Sequence, residues 1–353
     1  MAKPKVAFLI ESEFEDSEFQ IPFKALKQAG ALVTVLGSRM NDEYTGKRGK
    51  VSIRPDATAT EVRSEDFDAI VIPGGAAPDK IRTNPNAVRL ILDAMGQDKL
   101  IAAVCHGPQV LIEADALRDR QATGFAAIRK DLTNAGAHYV DEAVVVDGNL
   151  ITSRCPADLA MFTMTLLNRL ELPLGAAESS ATHDLWQVAE AWGGSTKADI
   201  VAALNTALTG ERYTLSAFEK YDEKISDPEA KLAVREAAIS KRQHVTLLEE
   251  RLEALDEKAS WQAIGGEMLA TLQTFLQSSN DLEILRQALG DIQTGMVDAK
   301  RLANQLTDPT TAELMLQIQQ NLERHEEHLS TVYRSRAGAN VQAPKPTTIA
   351  ITA

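Results

Sequence analysis

Cysteine is scarce in this chain: Cys105 and Cys155 are the two among 353 residues, too few for a disulfide framework. A basic surplus is missing as well. With 37 Lys+Arg against 50 Asp+Glu the net charge is −13, the wrong sign for gripping phosphate, so nucleic acid is not expected as a main partner. Long hydrophobic runs are absent. The apolar stretch from Val6 to Ile10 is too short for a signal-peptide core, and nothing later approaches a membrane span. These absences predict a cytoplasmic protein without membrane contact, whose acidic charge serves solubility. What remains is ordinary globular material, 44% hydrophobic and 25% charged, and long enough for two domains.

Up to Leu172, short apolar runs alternate with amphipathic stretches. Val6–Ile10, Ala31–Leu36, Ala69–Ile72 and Leu100–Val104 read as buried strands. Helices are expected over Ile21–Ala29, Asn86–Met95, Gly107–Ala114 and Ala157–Asn168, with a hairpin turning at Asp147-Gly148. Continuous apolar strands between helices indicate a mostly parallel sheet covered on both faces. Residues 173–183 read as a linker. From Asp184 to residue 335 the pattern is helical, over Lys197–Tyr221, Pro228–Leu255, Glu267–Ser278, Leu282–Leu306 and Pro309–Tyr333. Tightly joined helices of this kind should pack as an antiparallel bundle. The stretch 336–353 lacks periodicity and is expected to be a disordered tail.

The chemistry concentrates in Leu100-Ile-Ala-Ala-Val-Cys-His-Gly-Pro-Gln109. A small-residue strand delivers Cys105 to a sharp turn, Gly107 permits close backbone approach, and Pro108 opens a helix where no amide hydrogen is required. A thiol at a helix amino terminus is favoured as thiolate, whereas a lone cysteine is otherwise core filler. The acidic loop Glu11–Glu18 follows the first strand. Acid clusters are usually solvated, but one carboxyl leaning over the elbow would stay protonated beside a thiolate. Ile72-Pro-Gly-Gly-Ala-Ala-Pro-Asp79 ends another strand, and its amides suit a developing oxyanion.

Glu13–Glu18, Pro73–Pro78, Ala103–Pro108, Asn134–Ala137, Val144–Asn149 and Ser153–Asp158 together resemble a PfpI-type intracellular cysteine protease. That superfamily includes the parkinsonism-associated deglycase and the class I glutamine amidotransferases. The resemblance spans Lys5–Leu170 and implies a flavodoxin-like α/β sandwich without a cofactor, assembled as a homo-oligomer. It implies Cys105 as nucleophile with His106 beside it, Glu15 as the carboxyl on the thiol, and Gly74 and Gly75 as the oxyanion loop together with the His106 amide. Asp79 stands where protease-like members carry a Glu that reaches the histidine across a subunit interface. Phe125-Ala126 stands where many relatives have an aromatic–proline pair. Cys155 is expected to be structural, with a redox role toward Cys105 left open, and His138 to lie on the surface.

The helical half resembles ferritin-like domains. Glu211, His244, Asp291, His325 and His328 fall on its helices, yet no Glu-x-x-His exists there: Lys241 stands three before His244 and Leu322 three before His325. No metal is therefore expected, His325 and His328 are expected on a solvated last turn, and oligomerisation or partner docking is the expected role. Three activities share the one sulfur. They are hydrolysis of peptides or small acyl or carbonyl adducts in stress protection, glyoxalase or deglycase action on methylglyoxal-type adducts, and non-catalytic redox sensing. An adjacent Cys-His pair on regular structure does not face itself, so only an irregular elbow makes a dyad of Cys105 and His106.

Overall fold

The computed structural model describes residues 2–175, 184–259 and 280–338. Two compact units divide these: Met1–Ile200 with Asn304–Ala312, and Val201–Ala303 with the described residues from Glu313 on. The first unit thus runs past the boundary expected at Leu172. The expected helix Glu267–Ser278 and most of the expected linker and tail lie outside the described residues.

The strands of the first unit are β1 (Lys5–Leu9), β2 (Leu32–Gly37), β3 (Tyr44–Thr45), β4 (Ser52–Ile53), β5 (Ala57–Thr58), β6 (Ala69–Ile72), β7 (Leu100–Val104), β8 (Gln121–Ala122), β9 (His138–Tyr139), β10 (Val144–Asp147) and β11 (Leu150–Ser153). The main sheet has the order β10-β11-β7-β6-β1-β2-β5. All its pairings are parallel except the β10–β11 hairpin. β6 and β7 are buried throughout, which is why they read as unbroken apolar runs rather than alternating ones. Helices α1 (Asp16–Gln28), α2 (Ala77–Ile81), α3 (Pro85–Gly96), α4 (Pro108–Glu113), α5 (Arg129–Asn134), α6 (Leu159–Arg169) and α7 (Leu185–Ala191) accompany it. This is the flavodoxin-like sandwich with a mostly parallel sheet. Because β1, β6 and β7 are neighbours, the loops leaving their carboxyl ends converge, and such ends are where α/β sheets place ligands.

Two boundaries depart from expectation. α1 begins at Asp16, five residues before the Ile21 expected from the apolar pattern. Asp16 and Glu18 sit in its first turn, where the helix dipole favours carboxylates, so part of the acidic loop is helix. α7, expected with the bundle, instead contributes Val188 and Ala189 to the α/β core, joined by Trp192 just beyond it.

The second unit is all-helical. Its helices are α8 (Lys197–Lys224), α9 (Pro228–Ala254), α10 (Asp281–Ala303) and α11 (Pro309–Ala337). Asp227 caps α9 through the amides of Glu229 and Ala230. The helix of α11 continues past the expected tail boundary, and Arg336 pairs with Asp227 and Glu229. His325 and His328 therefore lie mid-helix rather than on a last turn.

Candidate active site

Cys105 follows β7 in the left-handed region, with φ of 61°. A non-glycine residue pays for that conformation, so it persists only where the surroundings fix it. Here the Cys105 amide donates to Ser153 O at 2.9 Å, and the Cys105 carbonyl accepts from Phe125 N at 2.9 Å. Gly107 is required next: a Cβ there would come within 2.4 Å of the Ile72 carbonyl. Pro108 then starts α4. The elbow is thus the irregular strand-to-helix turn that presents a nucleophile.

Three groups surround the sulfur. Glu18, on α1, is fully buried. Its Oε2 accepts the Gly74 amide at 2.7 Å, while its carboxyl interacts with the Cys105 thiol. A Cβ on Gly74 would collide with Glu18 and with Cys105, so only glycine lets the two approach. The Gly75 amide donates toward the sulfur. Burial first, and the Glu15 charge second, push the Glu18 carboxyl up to about 8. Burial and the Glu18 charge likewise push the Cys105 thiol well up. Two negative charges so close and so dry are not held together, and the pair keeps a proton at neutral pH.

The expected carboxyl partner is thereby corrected. Glu15 is buried but turned away, paired with Arg48 Nη2 at 2.9 Å and Lys47 Nζ at 3.3 Å. Asp16 builds that cationic loop, because its carboxylate accepts the amides of Arg48, Lys50 and Val51. The residue at the thiol is Glu18, one helical turn further on. Its signal was present in the sequence: Glu18, Ile21, Pro22 and Ala25 form one stripe of a helix, so a carboxyl stands in an apolar face. Gly74 is corrected as well, since its amide is occupied by Glu18 and is not free for an oxyanion.

His106 lies in the same cavity as Cys105, with Glu13, Lys47, Asp79, Gln109 and Phe125 around it. Its ring packs 5.1 Å from that of Phe125. Burial holds the imidazole below its ordinary range, opposed by a hydrogen bond with Gln109. Among the described residues the ring makes no hydrogen bond with the Cys105 sulfur. Asp79 is exposed, lines this cavity and acts electrostatically on His106 of its own chain. Cys155 donates to Asp158 Oδ2 at 3.5 Å, and burial raises its thiol far above the usual range. Both cysteines are free thiols, and His138 is exposed.

The bundle offers a second cluster. A two-metal bundle draws a Glu from each of two helices and Glu-x-x-His from each of the other two. Here Lys241 replaces the glutamate, and its Nζ lies 3.4 Å from Glu211 Oε2. His244 spends both ring nitrogens, on Glu211 Oε2 at 3.1 Å and Asn321 Oδ1 at 3.0 Å. Asp291 accepts the Tyr221 hydroxyl at 3.0 Å, and His325 bonds Ser240 Oγ at 2.8 Å. Every candidate ligand is engaged by a protein group, and an ammonium stands where a cation would bind. The residues do not fit a two-metal centre, and among the described residues no group of three or more His, Cys, Asp or Glu is placed to hold an ion.

Comparison with known proteins agrees with both halves. The DJ-1/PfpI family model matches residues 4–169. The "Putative cysteine protease YraA" of Bacillus subtilis is 42% identical over 47% of this chain and 98% of its own. An uncharacterized protein of Archaeoglobus fulgidus is 44% identical over the same shares. A crystal structure of a two-domain protein from Anabaena variabilis, containing DJ-1/ThiJ/PfpI-like and ferritin-like domains, matches with a TM-score of 0.89 and 55% identity, over 98% of this chain and 99% of that one. The chain belongs to the DJ-1/PfpI family, with a ferritin-like helical region after its family domain.

Proposed function

We propose that the chain is a cysteine-dependent enzyme acting on small carbonyl compounds, with Cys105 as nucleophile and Glu18 as the group that moves its proton. The observation that carries this reading is the Glu18 carboxyl, pushed up to about 8 and facing the thiol at the elbow. A group with that titration holds a proton at neutral pH yet gives it up readily, which is what general acid–base work requires. The sulfur adds to an aldehyde carbon while the proton shared with Glu18 passes to the carbonyl oxygen, giving a hemithioacetal. With a 2-oxoaldehyde, Glu18 then takes the C1 proton and returns it to C2, while the proton on the C1 oxygen passes to the C2 oxygen, leaving a thioester of the 2-hydroxyacid. Water cleaves the thioester and restores the thiol. No outside oxidant is needed, because C1 is oxidised as C2 is reduced. Detoxification of this kind is a stress-protective role.

Acyl hydrolysis is the second reading, and it would suit peptides or small esters. His106 and Asp79 in the same cavity favour it, as does the name of the Bacillus relative. The first reading needs no bond between His106 and the sulfur.

Lactate release from methylglyoxal tests the proposal. Cys105→Ala should abolish it, and Glu18→Gln should lower it by about 10² or more. Glu15→Gln should leave turnover within about threefold, since that carboxylate acts on Glu18 only through its charge. Unchanged turnover in Glu18→Gln would overturn the assignment. Cleavage of a fluorogenic peptide that depends on Cys105 and His106 would replace it with the second reading.

A further inference from the structure

The cavity over Cys105 has a wall from far along the chain. Asn304 lines it together with Cys105, His106, Phe125 and Pro156. The segment Asn304–Ala312 belongs to the same compact unit as the elbow. Arg48 fastens it there: one guanidinium nitrogen donates to the Asn304 carbonyl at 3.0 Å and another to the Gln305 carbonyl at 3.2 Å. The same guanidinium holds Glu15 at 2.9 Å. A second anchor lies further along. The Ser195 amide donates to Thr307 Oγ1 at 2.7 Å and the Thr307 amide to Ser195 Oγ at 3.1 Å, with Thr307 and Asp308 each 1% exposed. Held at both places, the segment Asn304–Asp308 is fixed and sets Asn304 at the rim of the cavity.

The curated relatives have no counterpart of this rim in the aligned stretch. Their match covers 98% of the Bacillus protein but 47% of this chain, and the family model ends at residue 169. The rim therefore distinguishes this site from that of a lone family domain. The cavity has a volume of about 580 Å³, within the range for small-molecule sites.

We propose that Asn304, held by the anchored Asn304–Asp308 segment, is a specificity wall, which limits access to Cys105 to small carbonyl or acyl substrates and keeps polypeptide out, with Arg48 as its positioning residue. The substrate class rests on the carbonyl reading above, while the wall itself does not. Exclusion follows from what the wall blocks. A folded or extended peptide must lay several residues across the rim to bring one carbonyl to the sulfur, whereas a three-carbon aldehyde needs none of that room.

The experiment measures alkylation of Cys105 in the full chain, quantified by peptide mapping so that Cys155 is counted separately. Iodoacetamide is the small reagent and a polyethylene-glycol maleimide the bulky one, and lactate formation from methylglyoxal is followed in parallel. The ratio of bulky to small rates should rise about tenfold in Arg48→Gln and in Asn304→Gly. Iodoacetamide rates near those of the unaltered chain would show that the elbow itself is intact. A purely structural role for Arg48 would not move the size ratio. An unchanged ratio in both variants overturns the wall. A raised ratio in a chain that never turns over methylglyoxal supports the wall and removes the carbonyl reading instead.

Discussion

Glu18 and Glu211 are both carboxyls taken out of water, one in each unit, and they titrate in opposite directions. Burial and the Glu15 charge drive Glu18 up to about 8. Burial works against the charge of Glu211 too, but the His244 hydrogen bond and the Lys241 charge outweigh it and hold the carboxyl below its ordinary value. Burial alone decides neither case; the neighbours do. Around Glu211 the chain supplies the Lys241 ammonium and a hydrogen bond from His244, and these hold the carboxylate. Around Glu18 it supplies one amide and a thiol, and that leaves a proton available for chemistry. The Glu211 cluster is what a stabilising ionic core looks like, and the Glu18 pair is what a site looks like.

The comparison breaks most visibly on stability at Lys241. This ammonium is fully buried, with Glu211 Oε2 at 3.4 Å and the Phe218 ring 5.5 Å from its nitrogen. Lys241→Met removes the positive charge and leaves a buried carboxylate less compensated, at a cost of about 3–5 kcal/mol. Adding Glu211→Gln should recover most of that loss, because the uncompensated charge goes with it. Glu18→Gln should cost far less than Lys241→Met, since its carboxyl is already neutral over most of the physiological range. Urea unfolding of the full chain, followed by limited proteolysis of each unit, measures all three. A Lys241→Met loss no larger than that of Glu18→Gln would erase the distinction between the two buried carboxyls.

The strands that frame the elbow were legible because each is buried on both faces and reads as an apolar run. Ala69–Ile72 and Leu100–Val104 match β6 and β7 residue for residue. Cys105, with Gly107 and Pro108 behind it, was legible because few residue sequences make that turn. The start of α1 was not. An acidic stretch reads equally as loop or as first helical turn, and only the helical register aims Glu18 at the thiol and turns Glu15, also buried, toward Lys47 and Arg48. The rim at Asn304–Asp308 was illegible for another reason: its contacts to Arg48 span 256 and 257 residues, and no local pattern encodes them.

Acid and alkali sharpen the contrast next. Glu18 ionises at about 8 in the folded chain against an ordinary 4.5. The folded state binds the extra proton, so this contribution is full below about 4.5 and is lost as pH rises through 8. At its steepest the loss is about 1.4 kcal/mol per pH unit. Glu211 runs the other way: its contribution is full above its ordinary value and is lost as pH falls through its lowered one. Urea midpoints should show Glu18→Gln gaining on the unaltered chain from about pH 5 to about pH 9. Glu211→Gln should gain on it only toward acid. Parallel pH profiles for the two variants would contradict the opposed titrations.

The smallest effects concern backbone strain. Cys105 holds φ of 61°, whereas Gly210 sits inside the regular helix α8 with open space where its Cβ would be. At position 105 glycine relieves a conformation that disfavours any side chain, so Cys105→Gly should be about 1 kcal/mol more stable than Cys105→Ala. At position 210 the order reverses, and Gly210→Ala should stabilise the chain by about 0.5–1 kcal/mol through helix propensity. Thermal unfolding of these variants compares the two directly. The elbow thus retains a residue that the backbone there disfavours, and only the sulfur explains its presence. Equal stabilities of the Gly and Ala variants at 105 would mean that the turn carries no strain, and that Cys105 is held by its packing alone.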